Sequence, residues 1–191
     1  MVGKRFNVEK SAKLIAPQRY NLLPPDKILS YLDINTDDNL ADLGAGNGYF
    51  TLPMALTGAT VYAVDIEPKM LKELKDRVRV LELEDLNYIV SDLEQIPLAN
   101  QSVDKILASL VLHEVPDWKK TFLEIKRILR KGGIILVIEW KAEETPMGPD
   151  ISERIATEDI IQYGNSIGFS ASIYEINDSQ YGVLFSSTSQ E

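Results

Sequence analysis

The run Leu40-Ala41-Asp42-Leu43-Gly44-Ala45-Gly46-Asn47-Gly48-Tyr49-Phe50 constrains this chain more than any other stretch. An apolar segment ends in three alternating glycines and passes into a helical pattern. That reads as the first strand and binding loop of a nucleoside-recognising α/β domain. The glycines open backbone conformations closed to other residues and let a ligand lie against the main chain, facing the N–H groups of the following helix. A dinucleotide fingerprint reads G-x-G-x-x-G and takes a pyrophosphate at the helix start. Here the spacing is G-x-G-x-G, preceded by Asp42. A carboxylate so placed repels a pyrophosphate but accepts hydrogen bonds from an ammonium group, which favours a zwitterionic or cationic nucleoside. Glycines also mark ordinary turns, so the loop needs a second signal.

That signal is Thr60-Val61-Tyr62-Ala63-Val64-Asp65, a β-rich strand ending in a carboxylate about 20 residues beyond the glycines, where a partner for ribose hydroxyls is expected. Asp42-Leu43-Gly44-Ala45-Gly46-Asn47-Gly48 together with Val64-Asp65-Ile66 resembles the first and second motifs of the class I S-adenosylmethionine-dependent methyltransferases. Asp92-Leu93, the Pro97, Ser102 and Asp104 of a Pro-x-x-x-x-Ser-x-Asp pattern, and Leu129-Arg130-Lys131-Gly132-Gly133 extend the resemblance over about residues 38–140. It implies S-adenosyl-L-methionine as cofactor and S-adenosyl-L-homocysteine as product. It implies further that Asp42 sits near the cofactor's amino group, that Gly44, Ala45 and Gly46 touch its backbone, and that Asp65, with Ile66 beside it, meets the ribose. On the same grounds Asp92 and Leu93 meet the adenine, and Ser109 and Leu110 the methionine end.

Strands and helices alternate through the chain. Strands near Asn39–Leu43 and Thr60–Asp65, at Tyr88–Val90, Ile106–Leu110 and Ile134–Trp140 interleave with helices at Tyr49–Leu56, Glu67–Arg79 and Trp118–Leu129. This order requires parallel strands joined by right-handed crossovers. A last helix opens at Thr157, and Ser172–Ile176 and Tyr181–Phe185 form a hairpin. The expected fold is α/β and doubly wound, a Rossmann-like, seven-stranded, mostly parallel sheet with an antiparallel C-terminal strand. Residues 1–191 form one domain, with a helical N-terminal extension over 1–35 and a cofactor-binding core over 36–191. In the resembled family such extensions often close over the cofactor; a helix merely covering one sheet face is the other reading.

With 45% hydrophobic and 26% charged residues the chain has globular composition. It contains no cysteine, which excludes disulfides, thiolate nucleophiles and cysteine metal sites, and its single histidine, His113, argues against zinc. No metal is expected. A formal charge of −9 opposes nonspecific nucleic-acid binding. The N-terminus leads into polar sequence rather than an apolar leader, and Ile134–Ile138 is too short to span a bilayer. A cytoplasmic protein without a membrane span is expected.

For chemistry, His113 is the candidate base, since an unperturbed imidazole titrates near neutrality and this one follows the fourth strand. Orienting the loop or hydrogen-bonding the cofactor is its alternative role. Glu114 and Trp118 are similarly placed, and Glu139 and Trp140 end the fifth strand. The chain looks like the small methyltransferases grouped with quinone-biosynthesis and arsenite enzymes. Arsenite methylation needs cysteine thiolates, which disfavours that branch, and a small-molecule methyl acceptor is expected. Two other readings stand beside a methyltransferase: a non-catalytic S-adenosylmethionine-binding or interaction protein, and a nicotinamide oxidoreductase, against which the glycine spacing and Asp42 speak.

Overall fold

The computed structural model describes residues 7–81, 83 and 86–187. Residues 1–6, on which the expectation of no apolar leader falls, lie outside them. Seven strands, β1 (Asn39–Leu43), β2 (Thr60–Asp65), β3 (Leu86–Val90), β4 (Val103–Ser109), β5 (Leu129–Trp140), β6 (Phe169–Asn177) and β7 (Gln180–Ser187), form one sheet in the order β3-β2-β1-β4-β5-β7-β6. All neighbours from β3 to β5 pair in parallel, while β7 runs antiparallel to both β5 and β6. The strand order reverses between β1 and β4, so the crevice at their carboxyl ends is the topological switch point at which such sheets bind ligands.

Among the described residues six α-helices flank the sheet: α1 (Pro17–Leu22), α2 (Pro25–Ser30), α3 (Thr51–Ala55), α4 (Pro68–Leu81), α5 (Trp118–Ile128) and α6 (Thr157–Ser166). The strands sort their side chains by period two. Ala41, Leu43, Ile106, Ala108, Ile135 and Val137 face a core with Phe122, Ile125, Ile160 and Phe185, which places α5 and α6 on that side. Leu40, Leu107, Leu136 and Ile138 face the opposite way, onto Leu23, Ile28, Leu32, Phe50 and Met54. Leu71, Leu74 and Val78 of α4 pack on Ala63, the same face of β2 as Val61. The segment ahead of β1 therefore contributes core: Ile28 and Leu32 are fully buried.

The helices have local causes. Prolines at the first positions of α1 and α2 preset the helical φ where an N–H has no partner to lose. Asp117 caps α5, its Oδ1 accepting from the amides of Lys119 (3.0 Å) and Lys120 (3.2 Å), as its position before a helical pattern predicts. One boundary differs from expectation. Arg130-Lys131-Gly132-Gly133 does not separate helix from strand; β5 begins at Leu129, which pairs with Val103, and the register slips before Lys105 pairs with Ile134. Gly132 takes φ +77°, the left-handed turn of a bulge, so the strand passes through its own punctuation.

Candidate active site

The loop between β1 and α3 is built on glycine. Gly44 has φ +73°, and a Cβ there would lie 2.5 Å from Val111 Cγ2. Gly46, at φ +53°, lies under Leu14. Two successive amides of the loop, Gly44 (2.9 Å) and Ala45 (3.0 Å), donate to Val64 O at the end of β2. Asp65, the next residue, accepts at Oδ2 from Gly46 N (2.7 Å) and at Oδ1 from Glu67 N (2.8 Å). The glycine loop and the second acidic strand end are thus one hydrogen-bonded unit, with Ile66 between Asp65 and Glu67. Burial raises the Asp65 carboxyl, against the lowering effect of the Glu67 and Gly46 amides.

Asp42 lies beneath this unit, 3% exposed, with Oδ2 accepting from Thr51 Oγ1 at 2.5 Å. Burial pushes its carboxyl up to about 6, opposed by the Thr51 hydrogen bond; the charge of Asp65 raises it further and that of Arg19 lowers it. Asp92 stands apart on the exposed loop after β3, where Oδ1 accepts from Glu94 N (2.9 Å) and Gln95 N (3.0 Å), while its neighbour Leu93 is buried in the core. Arg127 braces that loop from behind, donating to Ile96 O, Leu98 O and Asn100 Oδ1 and pairing with Glu124.

At the end of β4, Ser109 Oγ is buried without a hydrogen-bond partner among the described residues. Leu110 follows with φ +56°, a left-handed conformation costing a non-glycine residue roughly 1–2 kcal/mol. The bond from its amide to Ile138 O (2.8 Å) holds it there. The chain then turns through a short 3-10 helix, Leu112–Glu114. His113 Nδ1 lies 2.7 Å from Glu139 Oε2, and Glu139 Oε1 accepts from the amides of Leu112 (2.8 Å) and His113 (3.4 Å). Glu139 is wholly buried, so one carboxylate fixes both the turn and the ring. His113 Nε2 is 3.8 Å from Glu114 Oε1. Desolvation works against a charged imidazole, but Glu139, then Glu114 and Glu153, outweigh it and raise its pKa.

The N-terminal extension, for which closing over the cofactor and covering one sheet face were the two readings, lies against the glycine loop. The 3-10 helix Val8–Ile15 lays Leu14 against Gly46, and Ser11 O accepts from Asn47 Nδ2 at 2.9 Å. Arg19 of α1 lies over the Tyr49 ring at 4.4 Å and donates to Leu14 O at 3.3 Å.

Residues 41–137 match the family model described as a methyltransferase domain, which spans the glycine loop, the acidic strand ends and the β4–β5 edge. The chain belongs to the methyltransferase-domain family. Over its whole fold it is similar to an S-adenosylmethionine-dependent methyltransferase from Aquifex aeolicus, with a TM-score of 0.89, 25% identity, and coverage of 96% of this chain and 100% of that one. Among curated relatives, an uncharacterised protein of Mycobacterium tuberculosis is 33% identical over 102 residues, 53% of this chain and 37% of its own length. Malonyl-[acyl-carrier protein] O-methyltransferase of Serratia marcescens is 31% identical over 111 residues, 58% of this chain and 42% of that enzyme. The chain therefore spans about two-fifths of the length of these curated relatives.

The family's cofactor is S-adenosylmethionine, and the crevice suits it. Val111 packs so closely on Gly44 that any Cβ there would strike it, so the close approach of the β4 edge to the loop requires glycine at this position. Two buried side-chain oxygens without hydrogen-bond partners among the described residues, Asn47 Oδ1 in the glycine loop and Ser109 Oγ at the end of β4, lie at this edge. Among the described residues no group of three or more His, Asp or Glu could hold a metal ion, and no helix is long and apolar enough to cross a membrane.

Proposed function

We propose that this methyltransferase moves the sulfonium methyl of S-adenosylmethionine to a small-molecule acceptor bound at the β4–β5 edge, with His113 as the base. The observation that carries the reading is the contact between His113 Nδ1 and the buried Glu139 carboxylate. In neutral imidazole one ring nitrogen is a donor and the other an acceptor. Glu139 accepts from Nδ1–H, which leaves the Nε2 lone pair to take a proton from an acceptor O–H or N–H. When bound, S-adenosylmethionine would supply its sulfonium methyl to the electron pair so freed and be left as the thioether S-adenosylhomocysteine.

The same reading gives the cofactor Asp42 near its amino group and Gly44, Ala45 and Gly46 along its amino-acid backbone. Asp65 and Ile66 meet its ribose, Asp92 and Leu93 its adenine, and Ser109 and Leu110 its methionine end. Asp65 already accepts two amides, and each carboxylate oxygen keeps a further lone pair for a ribose hydroxyl. Alignment supplies much of the rate in such a displacement, up to about 7–11 kcal/mol. A single domain over 1–191, with residues 1–35 as an extension on a 36–191 core, accommodates these roles in one chain.

The test is labelled-methyl transfer from S-adenosylmethionine into a fractionated metabolite extract, with S-adenosylhomocysteine binding measured by calorimetry. A labelled small molecule is the expected product, and His113→Asn should slow its formation roughly 10²–10⁴-fold while homocysteine-adduct binding persists. Binding without any labelled product would leave a cofactor-binding protein and remove the enzyme reading.

A further inference from the structure

We propose that Arg19 is the receptor for the carboxylate of the cofactor's methionine tail, carried to it by the N-terminal cover. This rests on the cofactor reading above and adds to it a residue outside the matched family region, which begins at residue 41.

Four observations converge on this residue. Arg19 is half-buried, yet among the described residues no carboxylate lies within ion-pair distance of it. Among the described residues its guanidinium donates to Leu14 O alone, a single acceptor for a group with five N–H donors. The guanidinium is stacked on Tyr49, a fixed plane whose hydroxyl is tied to Leu23 O at 2.7 Å, so its direction is set before any ligand arrives. Leu14, to which it bonds, packs on Gly46, and Arg19 is near enough to Asp42 for their charges to interact. It therefore stands at the amino-acid end of the crevice and not at the adenine end marked by Asp92.

A guanidinium drawn out of water without an ion-pair partner in contact is unfavourable, and burial indeed lowers the basicity of Arg19, which the more distant charge of Asp42 only partly offsets. A zwitterionic amino-acid tail brings both missing charges together. Its ammonium suits Asp42, and its carboxylate presents two oxygens to a planar fork of donors, the arrangement in which arginine binds most strongly. Because Arg19 and Leu14 belong to the same cover, the carboxylate would also fasten the cover on the glycine loop.

Three ligands separate the contributions: S-adenosylhomocysteine, its decarboxylated analogue, which keeps the ammonium, and 5′-deoxy-5′-methylthioadenosine, which lacks both charges. Calorimetry on the full chain should show that Arg19→Met weakens S-adenosylhomocysteine roughly 10- to 100-fold. Both ligands without a carboxylate should keep their affinity, and Arg19→Lys should fall between. Unchanged S-adenosylhomocysteine affinity in Arg19→Met would overturn the assignment. So would equal weakening of all three ligands, which would make Arg19 a prop for the cover alone. If the unaltered chain binds none of them, the cofactor reading itself fails, a result distinguishable from either.

Discussion

Asp42 is the residue whose chemistry the fold alters most. Its carboxyl rises from 3.8 to about 6 because burial disfavours the charge. A raised folded pKa means that the neutral form stabilises the fold at low pH, and that this contribution is lost as pH climbs from about 4 through about 6. At pH 7 the free protein carries the whole deficit, about 3 kcal/mol. Asp42→Asn should therefore stabilise the ligand-free chain at pH 7 by about 1–3 kcal/mol in urea unfolding. The same change should weaken S-adenosylhomocysteine and abolish the loss of its affinity below about pH 6. His113 has the same sign with a different consequence. Its pKa is raised, so a base at Nε2 is withheld by protonation, and turnover should increase with pH through a midpoint above 6.5. A pH–rate profile that is flat from 6 to 9 would deny His113 the proton transfer. The glycines and the strand-end acids could be read from the chain because each lies within a few residues of the strand that presents it. Thr51 beneath Asp42, Glu139 beside His113 and Arg19 over Tyr49 could not, since their partners are 9, 26 and 30 residues away in sequence.

Among the elements, α5 offers the cleanest test of a local rule. Asp117 satisfies two amides of its first turn, and Asp117→Ala should destabilise the protein by about 1 kcal/mol in thermal or urea unfolding. The helix forms because Phe122, Ile125 and Ile128 repeat at helical spacing and all reach the core, a pattern visible in the sequence. Elements without such a pattern were the ones to escape. In α1 no residue is buried, and its position depends on what it covers and not on what it packs. The start of β5 was hidden differently, because glycines that ordinarily close a helix here form a bulge inside a strand. The loop after β5 follows yet another logic. Arg154 donates to Pro149 O, Lys141 O, Glu143 O and Thr145 Oγ1, so an aperiodic stretch is held by one side chain that lies beyond it in the chain.

At the scale of the whole molecule, a seven-stranded, mostly parallel sheet followed from the alternation of strands and helices. Topology leaves few choices once parallel strands are required. A ligand held as proposed by the strand ends of β1, β2 and β4 would stabilise the entire sheet. At one hundred times its dissociation constant S-adenosylhomocysteine should add about 2.7 kcal/mol, which for a chain of this size raises Tm by roughly 5–10 °C. NAD at equal concentration should leave the melting curve unmoved, as the loop spacing and Asp42 argue.

The order β5-β7-β6 has a consequence for how the protein comes into being. During synthesis β6 emerges before β7, yet it has nowhere to attach until β7 has filled the slot beside β5. Until then the rim carrying Ile135, Val137 and Ile138 stands open to any passing extended peptide. The β6–β7 hairpin thus closes that rim only once both of its strands are made, and a chain truncated after residue 177 would keep the β5 edge open.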